Sequence, residues 1–449
     1  MRVAVVEPFP RVSGVTAYAW HALDGFRAAG CDADLITFTK SGKSRAHTSE
    51  AIAPKGGWQW WSKPVDVTAS WKEASALLDT YDLVLLDEVK CLPLDKIALR
   101  AMEGGDLKRA RERVLHGDVD FEELPPYIQA IADLKHAKWA AVMHAPQYQF
   151  SKAPLLSRFL HNVPPGLLVC QKPGALESAD WTGENDHDVL FYPYLPYTLR
   201  SARLRESWPR VAGAAGRFIT NKGLPTLAAI TDLLPAGWDS ELWGAGPAGA
   251  GANHTFLCYE GLVTQLGFEG YREGQNVTGD SIGNRGDVLG AWKWSASKFT
   301  HGTGKHTCSY MGGYTERDDI YSRLGVYVNF TDPDFCGKGN EYTHLEAMDS
   351  GCVAVVGDSC QPVSAKTYDA VSIEPFSGPL TLGASRGTNF FSRPGEREVA
   401  QHLADAVAQG CSIAEDPALA AVYAERCREE VTTLNSPLKW AESVLHASV

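Results

Sequence analysis

No stretch of about eighteen or more apolar residues occurs in the chain, which removes a transmembrane helix from the readings, since crossing the hydrocarbon core takes about twenty. A secretory leader is not legible either. Glu7 and Pro8 break the apolar run at 3–6, so residues 1–8 read as a buried first strand. Ten cysteines are present, but no two form C-x-x-C, and the nearest neighbours, Cys352 and Cys360, are not spaced as zinc ligands. These thiols fit a reduced, cytoplasmic protein. In that compartment the N-x-T sequons at Asn253, Asn276 and Asn329 carry no glycan. A positive charge excess is missing as well. The net charge of −12 argues against a basic nucleic-acid coat, while a local basic groove stays open. No metal-ligand cluster stands out, and no metal is expected.

What is present is an ordinary globular composition, 44% hydrophobic and 21% charged, over 449 residues, too many for one core. Short apolar runs alternate with helical patterns. Strands are expected at 3–6, 35–38, 83–86, 140–143 and 167–170, with helices at 17–29, 71–78, 107–114 and 127–134. Pro193, Pro196 and the charged stretch 200–205 read as a linker. A second series follows, with strands at 214–218, 242–243, 326–329 and 353–356 and a helix across 224–233. Residues 246–305, which include Trp292-Lys293-Trp294, show no strong period and read as inserted hairpins and loops. The expected fold class is α/β, with two Rossmann-like doubly wound domains facing a central cleft. The first spans 1–205 and the second 206–430 with an insertion at about 247–305; a helix in 431–449 packs back on the first.

Gly14-Val15-Thr16 stands between the first strand and the first helix, where glycine allows close backbone approach and helix-start amides favour anionic ligands. An ordinary strand–helix turn capped by Ser13 or Thr16 has the same pattern. Gly216-Arg217-Phe218-Ile219-Thr220-Asn221-Lys222-Gly223 leaves the second domain's first strand, and Arg217 with Lys222 could neutralise a diphosphate; a solvated loop is the plainer alternative. Gly244, in Leu242-Trp243-Gly244-Ala245-Gly246, would let a nucleotide base lie against the backbone. The most specific stretch is Glu341-Tyr342-Thr343-His344-Leu345-Glu346, which leads into a short helix closed by Gly351. Helix-start amides would meet a phosphate, and Glu341 and Glu346, both read into the first turn, would accept from sugar hydroxyls. Dipole complementation alone also places acids there.

These residues resemble the retaining GT-B glycosyltransferases, which carry a glycine loop after the first strand, an Arg and a Lys on the diphosphate, and a motif ending E-A-x-x-x-G, here Glu346 to Gly351. The usual upstream glutamate of that motif is replaced by Lys338. The hexapeptide narrows the resemblance to the T-even phage DNA α-glucosyltransferases, which are similar also at Gly14-Val15-Thr16, around Lys40 to Thr48, and at Gly216 to Gly223. The resemblance implies transfer of glucose from UDP-glucose, or a sugar from another UDP-sugar, to 5-hydroxymethylcytosine in double-stranded DNA with retention, in an infected bacterial cell. It implies no cofactor beyond the donor, no membrane partner, and a monomer. By position, Arg217 and Lys222 hold the diphosphate, Glu346 the ribose, and Glu341 lies near the transferred sugar. Tyr342, Thr343, His344, Gly14, Val15, Thr16 and Gly244 complete the donor site. His144 faces the acceptor, followed by Ala145 where the phage enzymes have an aspartate.

DNA as acceptor asks for cations and for a base extruded from the stack. Lys40, Lys43, Arg45, Lys108, Arg109, Arg111 and Arg113 are the candidates for phosphate contact, although 108–113 also reads as a solvated helix face. Trp292-Lys293-Trp294 with Lys298 and Lys305 has the same mixed character. Retaining transfer relies on stabilising the leaving diphosphate, and no carboxylate pair at glycosidase spacing is seen or needed. Two alternatives stay open. One is a GT-B enzyme acting on a glycan, lipid or small molecule; the other is a non-catalytic nucleotide-sugar or DNA-binding protein.

Overall fold

The computed structural model describes residues 1–8, 14–38, 65–66, 71–87, 126–144, 165–172, 188–201, 205–217, 227, 230–245, 299–301, 306–312, 317–330, 341–357, 371–373 and 396–448. The chain divides into two compact units. One takes Met1–Thr198 and Leu434–Val449, the other Leu199–Phe335 and Glu341–Thr433.

The first unit is built on seven parallel strands, β1 (Arg2–Val6), β2 (Asp32–Thr37), β3 (Val65–Asp66), β4 (Leu83–Leu86), β5 (Lys138–Met143), β6 (Leu167–Cys170) and β7 (Asp188–Phe191), in the order β3-β2-β1-β4-β5-β6-β7. All four residues of β4 and of β6 are buried, the mark of central parallel strands covered on both faces. Between strands run α1 (Gly14–Ala28), α2 (Trp71–Leu78) and α3 (Pro126–Ala132). The close of α1 is set by Gly30 at φ 81, with Cys31 N–H donating to Phe26 O at 2.9 Å and Gly30 N–H to Arg27 O at 3.0 Å. That paired arrangement satisfies carbonyls the helix itself cannot.

The second unit repeats the architecture with β8 (Val211–Arg217), β9 (Asp239–Ala245), β10 (Phe299–His301), β11 (His306–Gly312), β12 (Val326–Asn329), β13 (Val353–Gly357) and β14 (Val371–Ile373), ordered β10-β11-β9-β8-β12-β13-β14. Among the described strands the β10–β11 pairing alone is antiparallel. Its helices are α4 (Arg317–Tyr321), α5 (Tyr342–Asp349), α6 (Glu396–Glu415) and α7 (Pro417–Leu434). A Cβ added at Gly410 of α6 would stand 2.7 Å from Val355 and 3.2 Å from Val326, so this helix lies tight on β12 and β13. The chain then returns to the first unit as α8 (Pro437–Ser448), whose Trp440 ring sits 5.4 Å from Tyr18 and 5.3 Å from Phe26 of α1.

The α/β class with two doubly wound sheets is therefore what the chain adopts. Strands expected at 83–86, 167–170 and 326–329 fall where expected; the others extend one to three residues further at an end, and those expected at 35–38 and 214–218 close at Thr37 and Arg217. The helix expected at 107–114 lies outside the described residues. Of the helix across 224–233, Leu227, Ile230 and a 3-10 turn at Thr231–Leu233 are described. Within 247–305 the described part is β10. The edge strands β3, β7 and β14, the inner strand β11 and the long helices α6 and α7 went unanticipated. In β7 no residue is fully buried, and the α6 stripe of Leu403, Ala404, Val407, Cys411 and Ala414 is mostly small residues, so neither gives a strong apolar signal.

Candidate functional site

In an open parallel sheet the ligand crevice lies beyond the carboxyl ends of the strands where their order reverses. For the second unit that point falls between β8 and β12. The residues singled out for a donor leave those strands and their neighbour β9. Gly216, at φ 154, and Arg217 end β8, and Gly216 pairs in register with Gly244 of β9. Two glycines side by side leave a patch of the sheet free of Cβ atoms. The register could not be read from either loop alone. The side chain of Arg217 and all of Lys222 lie outside the described residues.

β12 ends at Asn329, and the chain re-enters the described residues at Glu341, the N-cap of α5, with extended backbone at φ −126, ψ 145. Its side chain makes no capping bond to the helix amides. The expectation that Glu341 and Glu346 share the first turn is corrected. Glu346 is the fifth residue of α5, and no acid lies in the first turn. The helix buries Tyr342, His344, Leu345, Ala347, Met348 and Asp349, while Thr343, Glu346 and Ser350 form a half-exposed stripe. Spacings of three and four residues put those side chains on one face. Of the expected donor residues, Thr343, Glu346 and the cap Glu341 thus keep some exposed surface, although the Thr343 hydroxyl oxygen is itself buried. Tyr342 is only 7% exposed, and His344 is fully buried, its Nδ1 3.3 Å from Asn329 Nδ2. An amide nitrogen only donates, so that contact is a hydrogen bond when Nδ1 is bare.

Several partners of this helix escaped the sequence reading. The Tyr321 hydroxyl lies 2.9 Å from Thr343 O and 3.1 Å from Glu346 Oε2. Asp349, wholly buried, accepts from the backbone amides of Arg200 at 2.8 Å and Ser201 at 3.3 Å, with Arg428 Nε at 3.5 Å. Gly351 closes α5 at φ 77 as expected, and its carbonyl takes the Trp208 indole N–H at 2.8 Å. On β9, Glu241 takes Arg323 Nη2 and Nε at 2.6 and 3.0 Å, and Trp243 Nε1 donates to the same carboxylate.

In the first unit the strand order reverses between β1 and β4. Gly14, Val15 and Thr16 were expected ahead of the first helix. They form its first turn instead, with Gly14 exposed and Thr16 buried, so Thr16 is no cap. The side chain of Val15 lies outside the described residues. His144 follows β5, its Nε2 2.9 Å from the Asp87 carbonyl and 3.5 Å from Asp87 Oδ1. A carbonyl only accepts, so Nε2 carries the proton. The Tyr18 ring stands edge-on to the imidazole at 4.6 Å, and Gln171 Nε2 donates to the Tyr18 hydroxyl at 2.9 Å.

Glu7, Asp87 and Gln171, each at 2% exposure or less, are the first residues after β1, β4 and β6. With His144 they make a buried polar cluster at the carboxyl edge of the sheet. The signal for them was present: each is the first polar residue after a buried apolar run. Lys40, Lys43, Arg45, Lys108, Arg109, Arg111 and Arg113 lie outside the described residues. Among the described residues no cluster of His, Cys, Asp and Glu could hold a metal, and no helix is long and apolar enough to cross a membrane.

No family model and no curated protein sequence matches the chain. Solved structures do. An alpha-glucosyltransferase in complex with UDP and a 13-mer DNA containing an HMU base is similar at 12% identity and a TM-score of 0.61, over 100% of this chain and 99% of that one. An alpha-glucosyltransferase with UDP-glucose and DNA containing an abasic site gives 12% identity and a TM-score of 0.61 over 100% of both chains. Anabaena HepE in complex with UDP-glucose is similar at 12% identity and a TM-score of 0.53, over 99% of this chain and 98% of its own. At that identity the likeness establishes the fold, which is GT-B. The resemblance to α-glucosyltransferases drawn from the hexapeptide extends over the whole chain.

Proposed function

We propose that this GT-B chain is a retaining glycosyltransferase that moves glucose from UDP-glucose to 5-hydroxymethylcytosine in duplex DNA. The observation that carries the proposal is the convergence of the donor segments in one unit. Gly216-Arg217 and Gly244 lie at the ends of the paired strands β8 and β9, and Glu341–Glu346 opens the helix between β12 and β13, so separate stretches of sequence are carried by strands on the two sides of the point where the sheet order reverses. The likeness to alpha-glucosyltransferases bound to UDP, UDP-glucose and DNA supports the same reading.

In this mechanism the bond between the anomeric carbon and the β-phosphate oxygen breaks, and the acceptor hydroxyl forms its bond on the same face. The hydroxyl proton passes to the departing phosphate oxygen. Charge developing on the diphosphate is met by Arg217, Lys222 and the first-turn amides of α5, which Glu341 leaves uncapped by its side chain. Glu341 lies by the sugar and Glu346 by the ribose. On the first unit His144, held by Asp87, faces the acceptor. Lys40, Lys43, Arg45, Lys108, Arg109, Arg111 and Arg113 take the DNA phosphates. The base is drawn out of the stack at a cost of a few kcal/mol, met by backbone and stacking contacts.

The test is mass spectrometry of nucleosides from duplexes carrying 5-hydroxymethylcytosine or 5-hydroxymethyluracil, incubated with the protein and a panel of nucleotide sugars. Gain of one hexosyl residue on hydroxymethylcytosine with UDP-glucose is expected. Absence of any gain with every donor would sink the proposal. A second reading keeps the donor and changes the acceptor to a glycan, lipid or small molecule, favoured by the net charge of −12. Hydrolysis of UDP-glucose stimulated by a glycan but not by DNA would select it.

A further inference from the structure

Glu346 stands on the half-exposed stripe of α5, where a carboxylate on a long side chain has several rotamers open to it. To accept from a ribose diol with fixed geometry it has to be held. One group that reaches it is the Tyr321 hydroxyl. Tyr321 ends α4, is 1% exposed, and is itself fixed on several sides. Its ring packs edge-on against Tyr327 at 5.8 Å, and its backbone carbonyl takes the Arg205 guanidinium and the Cys352 thiol. A second bond from Arg205 reaches the Leu324 carbonyl, so one arginine clamps both ends of the short turn after α4. The hydroxyl has a single proton and two acceptors in range, Thr343 O at 2.9 Å and Glu346 Oε2 at 3.1 Å. It therefore ties the first turn of α5 to the acid one turn later, through a shared hydrogen bond.

We propose that Tyr321 is a positioning residue that orients Glu346 to read the ribose hydroxyls of a nucleoside diphosphate. The inference rests on the donor assignment above and adds the source of its selectivity. An ionised carboxylate offers about four lone-pair sites, so the bond from Tyr321 fixes one oxygen and leaves capacity for a diol. A site built around hydroxyl contacts rejects a ligand lacking them, because its own polar groups then lose partners. Selectivity for ribose over deoxyribose should accordingly depend on the Tyr321 hydroxyl rather than on its ring.

Calorimetric titration of the full chain with UDP and with 2′-deoxy-UDP and 3′-deoxy-UDP tests this. The wild type is expected to bind UDP about tenfold or more tighter than the deoxy forms, and Tyr321→Phe to lose most of that ratio by weakening UDP alone. Glu346→Gln should reproduce the loss, and the double variant should add little to either single one, as expected of coupled neighbours. Tyr327→Phe, which keeps the same ring stack, should leave the ratio unchanged. An undiminished ribose preference in Tyr321→Phe would overturn the inference, whether or not sugar transfer is observed. Additive losses in the double variant would overturn it too. Nucleotide binding with the expected ratios but no transfer to any acceptor would sink the transferase reading and leave this inference standing. Failure of the wild type to bind any nucleoside diphosphate would sink both.

Discussion

Asp79 accepts three consecutive backbone amides through one oxygen, Lys135 at 3.0 Å, His136 at 2.7 Å and Ala137 at 2.9 Å, and so pins the turn that feeds β5. Burial pushes its carboxyl up, but the three amide bonds together with the neighbouring His136 hold it below its usual range. A carboxyl whose folded pKa is lowered stabilises the fold above the ordinary carboxylate value, and that contribution fades as pH falls through the depressed value. Asp79→Ala should therefore cost roughly 1 kcal/mol at neutral pH, a figure kept small by solvent screening, with the gap to wild type closing as pH falls below the ordinary carboxylate range. Thermal melts at pH 7 and in the acid range check this; a gap that widens toward acid would contradict it. At the same scale, the chemistry of Glu341–Glu346 was legible and its facing was not. Residue types marked a donor motif, but which side chains α5 buries, Tyr342 and His344, and which it leaves partly exposed, Thr343 and Glu346, is decided by the packing of the helix and not by the hexapeptide itself. Asp87 was missed because its partner His144 stands 57 positions away.

Between elements, α1 and α8 cross closely at Gly25. A Cβ at Gly25 would stand 2.3 Å from the Pro437 carbonyl oxygen, a backbone atom that cannot swing aside. Gly25→Ala should push the helices apart and cost about 1–3 kcal/mol, seen as a lower urea midpoint. Gly30→Ala makes a useful contrast. Its Cβ would meet nothing within 4 Å, so its penalty, about 1 kcal/mol, comes from φ +81 alone. Equal midpoints for Gly25→Ala and wild type would show that the crossing is looser than it stands. Element existence was readable wherever an apolar run was buried on both faces, as in β4, β6 and β12. Registers were not. That Gly216 lies opposite Gly244 is set by the right-handed crossover between β8 and β9 and by burial of Leu242 and Ala214, which no local pattern encodes.

At the scale of the whole molecule, the proposed substrate and the chain repel one another on average, since a net charge of −12 meets a polyanion. Duplex binding must then come from a local cationic surface strong enough to outweigh that background. The seven proposed phosphate contacts all belong to the first 113 residues, whereas the donor stripe on α5 belongs to the other unit. Affinity for hydroxymethylated duplex should fall with salt, log K declining by about 0.9 per phosphate neutralised for each tenfold rise in salt concentration. Replacing Lys108, Arg109, Arg111 and Arg113 together by Ala should flatten that slope by up to about 4 units and leave UDP affinity unchanged, because counterion release depends on charges at the phosphates alone. Fluorescence anisotropy of a labelled duplex across a salt series, paired with calorimetry for UDP, separates the two. A slope unchanged by the fourfold replacement would remove these residues from the interface and shift the acceptor reading toward a neutral glycan. A simultaneous loss of UDP binding would mean that the stretch supports the fold rather than the DNA.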